Sequence, residues 1–164
     1  MAAPQQRPSV KKPSSYSSLN PSLAFQLSGP HTWAAALTPV LLAYIYSGIT
    51  YSGNINFILA LILLAISILM QSAVNVLNDY FDYKKGTDSL ENSSEDAFDA
   101  VLVYNHLNPR TVLLYAISLL VLAAILGFYL VFITGWPLLI LGLIGALAVV
   151  LYSAGNTPIS YLPV

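Results

Sequence analysis

From Phe57 to Leu77 the chain carries no charged residue. A helix of that length, rising 1.5 Å per residue, crosses the roughly 30 Å hydrocarbon core of a bilayer. Three further apolar segments accompany it, at about Trp33–Ser47, Thr111–Ile133 and Leu138–Tyr152. In lipid every backbone polar group must be satisfied within the protein, so spans are helices or closed barrels. Runs this long, without a period of two, select helices. Composition agrees: 57% of residues are hydrophobic and 8% charged, with mean hydropathy +0.71. Soluble domains carry about 25% charged residues. The expected fold is therefore all-α and transmembrane, with four helices lying in a lipid bilayer.

The polar segments divide that bundle. Residues 1–28 are rich in Pro, Ser and Gln and carry Arg7, Lys11 and Lys12, so they read as a disordered tail. Pro39 inside the first span predicts a kink. Residues 50–56 form a short uncharged loop, and residues 83–110 a polar one. Pro137 suits the first turn of the fourth helix, beside an interfacial Trp136. All six basic residues fall on one side of a four-span arrangement: Arg7, Lys11, Lys12, Lys84, Lys85 and Arg110. The positive-inside rule then places both termini and the 83–110 loop in the cytoplasm. It also discounts the glycosylation-like triplet Asn92-Ser93-Ser94. No basic patch suggests nucleic acid. The chain has no cysteine, which excludes disulfides and thiolate metal sites.

The chemistry-bearing residues gather at the end of the second span. All seven acidic residues lie between Asp79 and Asp99. On a helix Gln71, Asn75, Asn78, Asp79 and Asp82 fall at i, i+4, i+7, i+8 and i+11 and share one face. This stripe is about 16 Å long. It begins inside the apolar zone, where polar groups are costly and tend to be functional. Lys84 and Lys85 follow directly, and Asp88 lies just past Gly86. Carboxylates with neutral oxygen donors suit a hard cation such as Mg²⁺, which is held through one or two carboxylates plus substrate phosphates. The same residues also fit a helix that merely ends at a wet interface. Spacing alone leaves three readings open: an enzyme acting on a lipid phosphate, a transport or channel module, and a non-catalytic membrane stub. Polarity confined to one membrane face favours the first over the second.

The run Asn78-Asp79-Tyr80-Phe81-Asp82-Tyr83-Lys84-Lys85-Gly86-Thr87-Asp88 resembles the first aspartate-rich motif of the UbiA superfamily of membrane prenyltransferases. Its form is most similar to the menaquinone branch, which prenylates 1,4-dihydroxy-2-naphthoate. Pro30-His31-Thr32, with Ala36-Leu37-Thr38-Pro39-Val40-Leu41, resembles the start of that branch's first helix. Tyr152-Ser153-Ala154-Gly155, with Pro158-Ile159-Ser160-Tyr161, resembles the end of its fourth. The resemblance implies a transmembrane prenyltransferase domain over 29–164, the first half of a roughly nine-helix bundle. It implies that Asp79, Asp82 and Asp88 bind Mg²⁺ carrying a polyprenyl diphosphate, with Asp79 and Asp82 central to catalysis. Asn78, and less directly Asn75, would position the diphosphate, and Lys84 or Lys85 would neutralise its charge. Tyr152 would line the substrate region. The aromatic acceptor would attack the allylic cation left when diphosphate departs.

Two departures accompany the resemblance. No second aspartate-rich motif follows Asp99, so the expectation is a truncated chain with half a site and negligible activity alone. Co-expression of a second half, or a second chain, would then supply the rest. Gly29 stands where the family often has Arg, and Glu91, Glu95, Asp96 and Asp99 stand near a family Gly-rich segment. His31 reads as an interfacial or capping residue with an acceptor contact as the alternative, and His106 as loop surface.

Overall fold

Three of the helices begin on an asparagine cap. The computed structural model describes residues 15–51, 56–86 and 100–153, apart from the side chains of 149, 150, 152 and 153. Helix α1 (Pro21–Leu27) starts on Asn20, whose side chain accepts from the Leu23 N–H. Helix α3 (Phe57–Lys85) starts on Asn56, which accepts from Ile58 and Leu59. Helix α5 (Pro109–Thr134) starts on Asn108, which accepts from Arg110. Each such cap satisfies an N–H that the helix cannot. Pro21 and Pro109 stand first in their helices, where a missing N–H costs nothing. Between these lie a 3₁₀ turn (Pro30–Thr32), α2 (Trp33–Thr50) and the short α4 (Val101–Tyr104). Helix α6 (Trp136–Ser153) follows α5 after Gly135. Among the described residues no strand forms; one isolated bridge pairs Ser17 with Leu107.

Helix α3 is central. Helices α1, α2, α4, α5 and α6 all pack on it, and α6 also packs on α5. Among the described residues three helical stretches are long and apolar enough to cross a membrane: Pro30–Thr50, Phe57–Lys85 and Pro109–Thr134. The fourth expected span corresponds to α6, whose apolar part is shorter over its described side chains. The all-helical membrane bundle is as expected. Helix α2 runs through Pro39 as one element.

Three boundaries differ from the sequence reading. The second span does not stop at Asp79: α3 continues to Lys85 and ends at Gly86. Gly86 has φ +76, a left-handed conformation that glycine adopts without steric penalty, and its N–H closes on Asp82 and Tyr83. Asp79 and Asp82 thus both sit on α3, as their spacing predicts. The 83–110 segment is not uniformly polar: Ala100, Val101, Leu102, Val103 and Leu107 are buried. Three consecutive apolar side chains there find a core more favourable than water. Residues 87–99 lie outside the described residues. The 1–28 stretch contains α1, and Leu27 is buried. Residues 1–14 lie outside the description.

The core sits at one end of the bundle. Leu27, Val76, Leu77, Val101, Leu102, Leu107, Val112 and Ala116 form it, joining α1, the later half of α3, α4 and the start of α5. This is the end that carries the acidic motif.

Candidate functional site

The inner half of the polar stripe is clamped to the chain that leads into α2. The Asn75 side-chain amide donates to the Ser28 carbonyl at 2.9 Å and to Thr32 Oγ1 at 2.8 Å. The Gln71 amide donates to the same Thr32 oxygen at 3.1 Å. Thr32 passes its own hydroxyl proton to the Gly29 carbonyl at 2.8 Å. Trp33 Nε1 donates to Ser72 Oγ at 3.0 Å and to the Ser28 carbonyl at 3.2 Å. The Ser28 hydroxyl bonds Ala24 O at 2.8 Å and lies 2.9 Å from the Tyr115 hydroxyl on α5. Polar groups inside a bundle are costly unless paired, and here they pair with one another.

Gly29 explains itself in this setting. Its φ is +57, and a Cβ there would collide with the Asn75 amide. A side chain such as the family's Arg does not fit this turn, whatever contact it makes elsewhere. The sequence reading took Gly29 only as a lost cation. It also missed Ser28, Thr32, Trp33, Ser72 and Tyr115 as a group. Gly29 beside Pro30, opposite an intramembrane Asn, was the available signal.

The outer half of the stripe forms the candidate site. Asp79 is 6% exposed, and its Oδ2 accepts from the Leu102 N–H at 3.2 Å. Asp82, one turn on, is half-buried, as are Asn78 and Lys85, whereas Lys84 is exposed. Tyr80 and Phe81 meet edge to face with centroids 5.3 Å apart. Asn78, Asp79, Asp82, Lys84 and Lys85 therefore share the last turns of one helix, as the spacing predicts. Asn75 is the exception, since its amide nitrogen faces the 28–32 turn. Asp88 and the acids from Glu91 to Asp99 lie outside the described residues, and so does the Tyr152 side chain. His31 and His106 are both exposed.

The donor set is the kind that a hard cation such as Mg²⁺ takes. Asp79, Asp82 and Asn78 offer only oxygen and amide groups, with no sulfur or imidazole. Among the described residues no three His, Cys, Asp or Glu side chains converge. A cation held by two carboxylates and completed by substrate phosphates does not need a third. The residues present fit Mg²⁺ bound together with a diphosphate.

The fold and this cluster define a multi-pass α-helical membrane protein with an acidic, lysine-flanked helix end at one face. Comparison with known proteins then places it. The UbiA prenyltransferase family model matches residues 36–164, and the chain belongs to that family. It is similar to 1,4-dihydroxy-2-naphthoate octaprenyltransferase of Bacillus subtilis (strain 168), with 31% identity over 141 residues. The alignment covers 86% of this chain and 44% of the Bacillus protein, so the chain spans less than half the length of that relative. No solved structure gives a significant match. The expected second chain gains no support from these comparisons.

Proposed function

We propose that this chain carries the diphosphate-binding site of an enzyme that transfers a polyprenyl group from a polyprenyl diphosphate to an aromatic acceptor. The acceptor is of the 1,4-dihydroxy-2-naphthoate type, and the product serves menaquinone biosynthesis. The observation that carries the reading is the placement of Asn78, Asp79, Asp82, Lys84 and Lys85 on the last turns of α3, inside the family match.

The chain's own residues divide the work. Asp79 and Asp82, joined by Asp88, would hold Mg²⁺, which when bound supplies charge neutralisation to the diphosphate. Lys84 and Lys85 meet phosphate oxygens and stabilise the charge that grows as the C–O bond breaks. Asn78 orients the diphosphate, and Asn75 acts through the turn it clamps. The apolar faces of α3 and its neighbours receive the prenyl tail and keep water from the allylic cation. Tyr152 is a further candidate for substrate binding, with an interfacial position as the alternative. The acceptor ring forms the new C–C bond and then loses its carboxylate as CO₂.

The assay is prenylation of 1,4-dihydroxy-2-naphthoate in membranes with Mg²⁺. The chain is expressed alone, and also with the part of the Bacillus relative that the alignment leaves uncovered. Transfer is expected in the second case, with a loss of about 10²–10³ in rate for Asp82→Asn. Transfer that survives both Asp79→Asn and Asp82→Asn removes the aspartates from the mechanism. Orientation is part of the same proposal, because the basic residues all lie on the motif's side. A cysteine at Ser94 should resist an impermeant thiol reagent on intact cells, and one at Asn54 should react. The opposite pattern reverses the topology.

A further inference from the structure

The segment 100–107 lies outside the polar stripe, yet it holds some of the most buried side chains among the described residues. Ala100, Val101, Leu102 and Leu107 are each at most 2% exposed. Helix α4 within them is a single turn, too short to persist on its own hydrogen bonds. Two outside contacts and its own closing bonds hold it. Its side chains join the core with Val76 and Leu77 of α3. Its C-terminus closes with His106 N donating to Val103 O at 3.2 Å and Leu107 N to Leu102 O at 3.0 Å. These two bonds, with His106 at φ +50 and Leu102 and Leu107 in one cluster, make a Schellman closure. The N-terminal segment braces the far side, where Ser17 N donates to His106 O at 2.9 Å.

One backbone group of this braced turn reaches the motif. The Leu102 N–H meets Asp79 Oδ2 at 3.2 Å, in a buried setting. An N–H on a flexible loop would follow the carboxylate; this one is fixed from three sides, so the carboxylate follows it. We propose that Leu102 is a positioning residue, whose backbone N–H sets the plane of the Asp79 carboxylate for a divalent cation carrying a diphosphate. The proposal rests on the function proposed above. Outer partners that orient a metal-binding carboxylate typically matter 10–100-fold in metal affinity. Chain from the cytoplasmic-side loop thereby acts on the reaction without touching substrate.

Hydrogen exchange at the Leu102 amide tests this in the full chain in lipid nanodiscs. It is read with and without Mg²⁺ plus a non-reactive prenyl thiodiphosphate. Protection is expected to stay or rise when both are bound. Loss of protection on binding overturns the proposal, since Asp79 would then leave Leu102 to take the ligand. Two variants give a second reading. Leu102→Pro deletes the N–H in a helix first turn, where the proline ring is tolerated. Leu102→Ala keeps the N–H and removes side-chain packing. The Mg²⁺ concentration for half-maximal thiodiphosphate binding should rise about 10-fold or more in Leu102→Pro and stay near that of the unchanged chain in Leu102→Ala. Equal behaviour of the two variants overturns the proposal. If Leu102→Pro does not fold, the exchange measurement decides alone. An unchanged chain that binds no thiodiphosphate at any Mg²⁺ concentration overturns the functional reading itself. Binding that is present but indifferent to Leu102 overturns only the positioning role.

Discussion

The two ends of the bundle are built on different principles. At the motif end, large aliphatic side chains are fully buried, and polar groups on α1, α2, α3 and α5 satisfy one another across helices. At the other end, Ile49, Phe57, Phe132 and Trp136 face outward, and Phe132 is 91% exposed. Helix α2 has no buried residue at all. In water an apolar surface of that extent would aggregate. In lipid it costs nothing, because acyl chains are as apolar as leucine. The lesson is that hydrophobicity does not mark where this protein is held together. The main cluster of buried side chains lies where the chain meets polar chemistry, and among the described residues fewer are buried toward the other end, Ala60, Ala123 and Leu130 being the exceptions.

That contrast can be broken by paired truncations. Leu102→Ala removes a core side chain at the motif end and should cost about 2–5 kcal/mol. Phe132→Ala removes a larger side chain at the other end and should change stability by less than about 0.5 kcal/mol. Unfolding of both variants in the same detergent or bilayer compares them directly. Similar losses would mean that the two ends are packed alike. Next in size is Gly29→Ala. The added Cβ meets the Asn75 amide in a left-handed turn, so either the turn or the clamp must give. A loss of about 1–3 kcal/mol is expected, the cost of leaving a buried polar group unmatched. Adding Asn75→Ala should recover part of that loss, and a double-mutant cycle without coupling would remove the clamp from the account. The last effect is a gain. His106 holds φ +50 at the helix-closing position that glycine prefers. His106→Gly should raise stability by about 0.5–1 kcal/mol. A loss there would show that the imidazole makes a contact that matters more than the backbone strain.

Much of this was legible from residue types and spacing. The apolar runs announce the long helices, and i, i+3, i+4, i+7 spacing puts Asn75, Asn78, Asp79 and Asp82 on one face. The Asn-Pro pairs at 20–21 and 108–109 mark two helix starts that the sequence reading passed over, placing 1–28 in a disordered tail and the third span from Thr111. Less legible was the turn at 101–104. A run of five apolar residues, Ala100 to Tyr104, between Asp99 and Asn105-His106 is too short for periodicity to register. Only tertiary packing makes it helical. The polar clamp was hidden for a related reason: Ser28, Thr32 and Ser72 are ordinary singly, and their meaning appears when α2 folds back along α3. The site itself was read as one stripe with one purpose. In the structure its inner residues clamp the 28–32 turn, and its outer residues form the candidate site.

The central claim is that the outer stripe binds a metal–diphosphate pair and not a bare metal. Calorimetric titration of Mg²⁺ into the full chain, with and without a non-reactive prenyl thiodiphosphate, tests it most directly. Two carboxylates on one helix supply few protein ligands, so Mg²⁺ alone should bind weakly. With thiodiphosphate present binding should be tight, and Asp82→Asn should weaken it. Equal Mg²⁺ affinity in the presence and absence of thiodiphosphate, or binding unaltered in Asp82→Asn, would contradict the account.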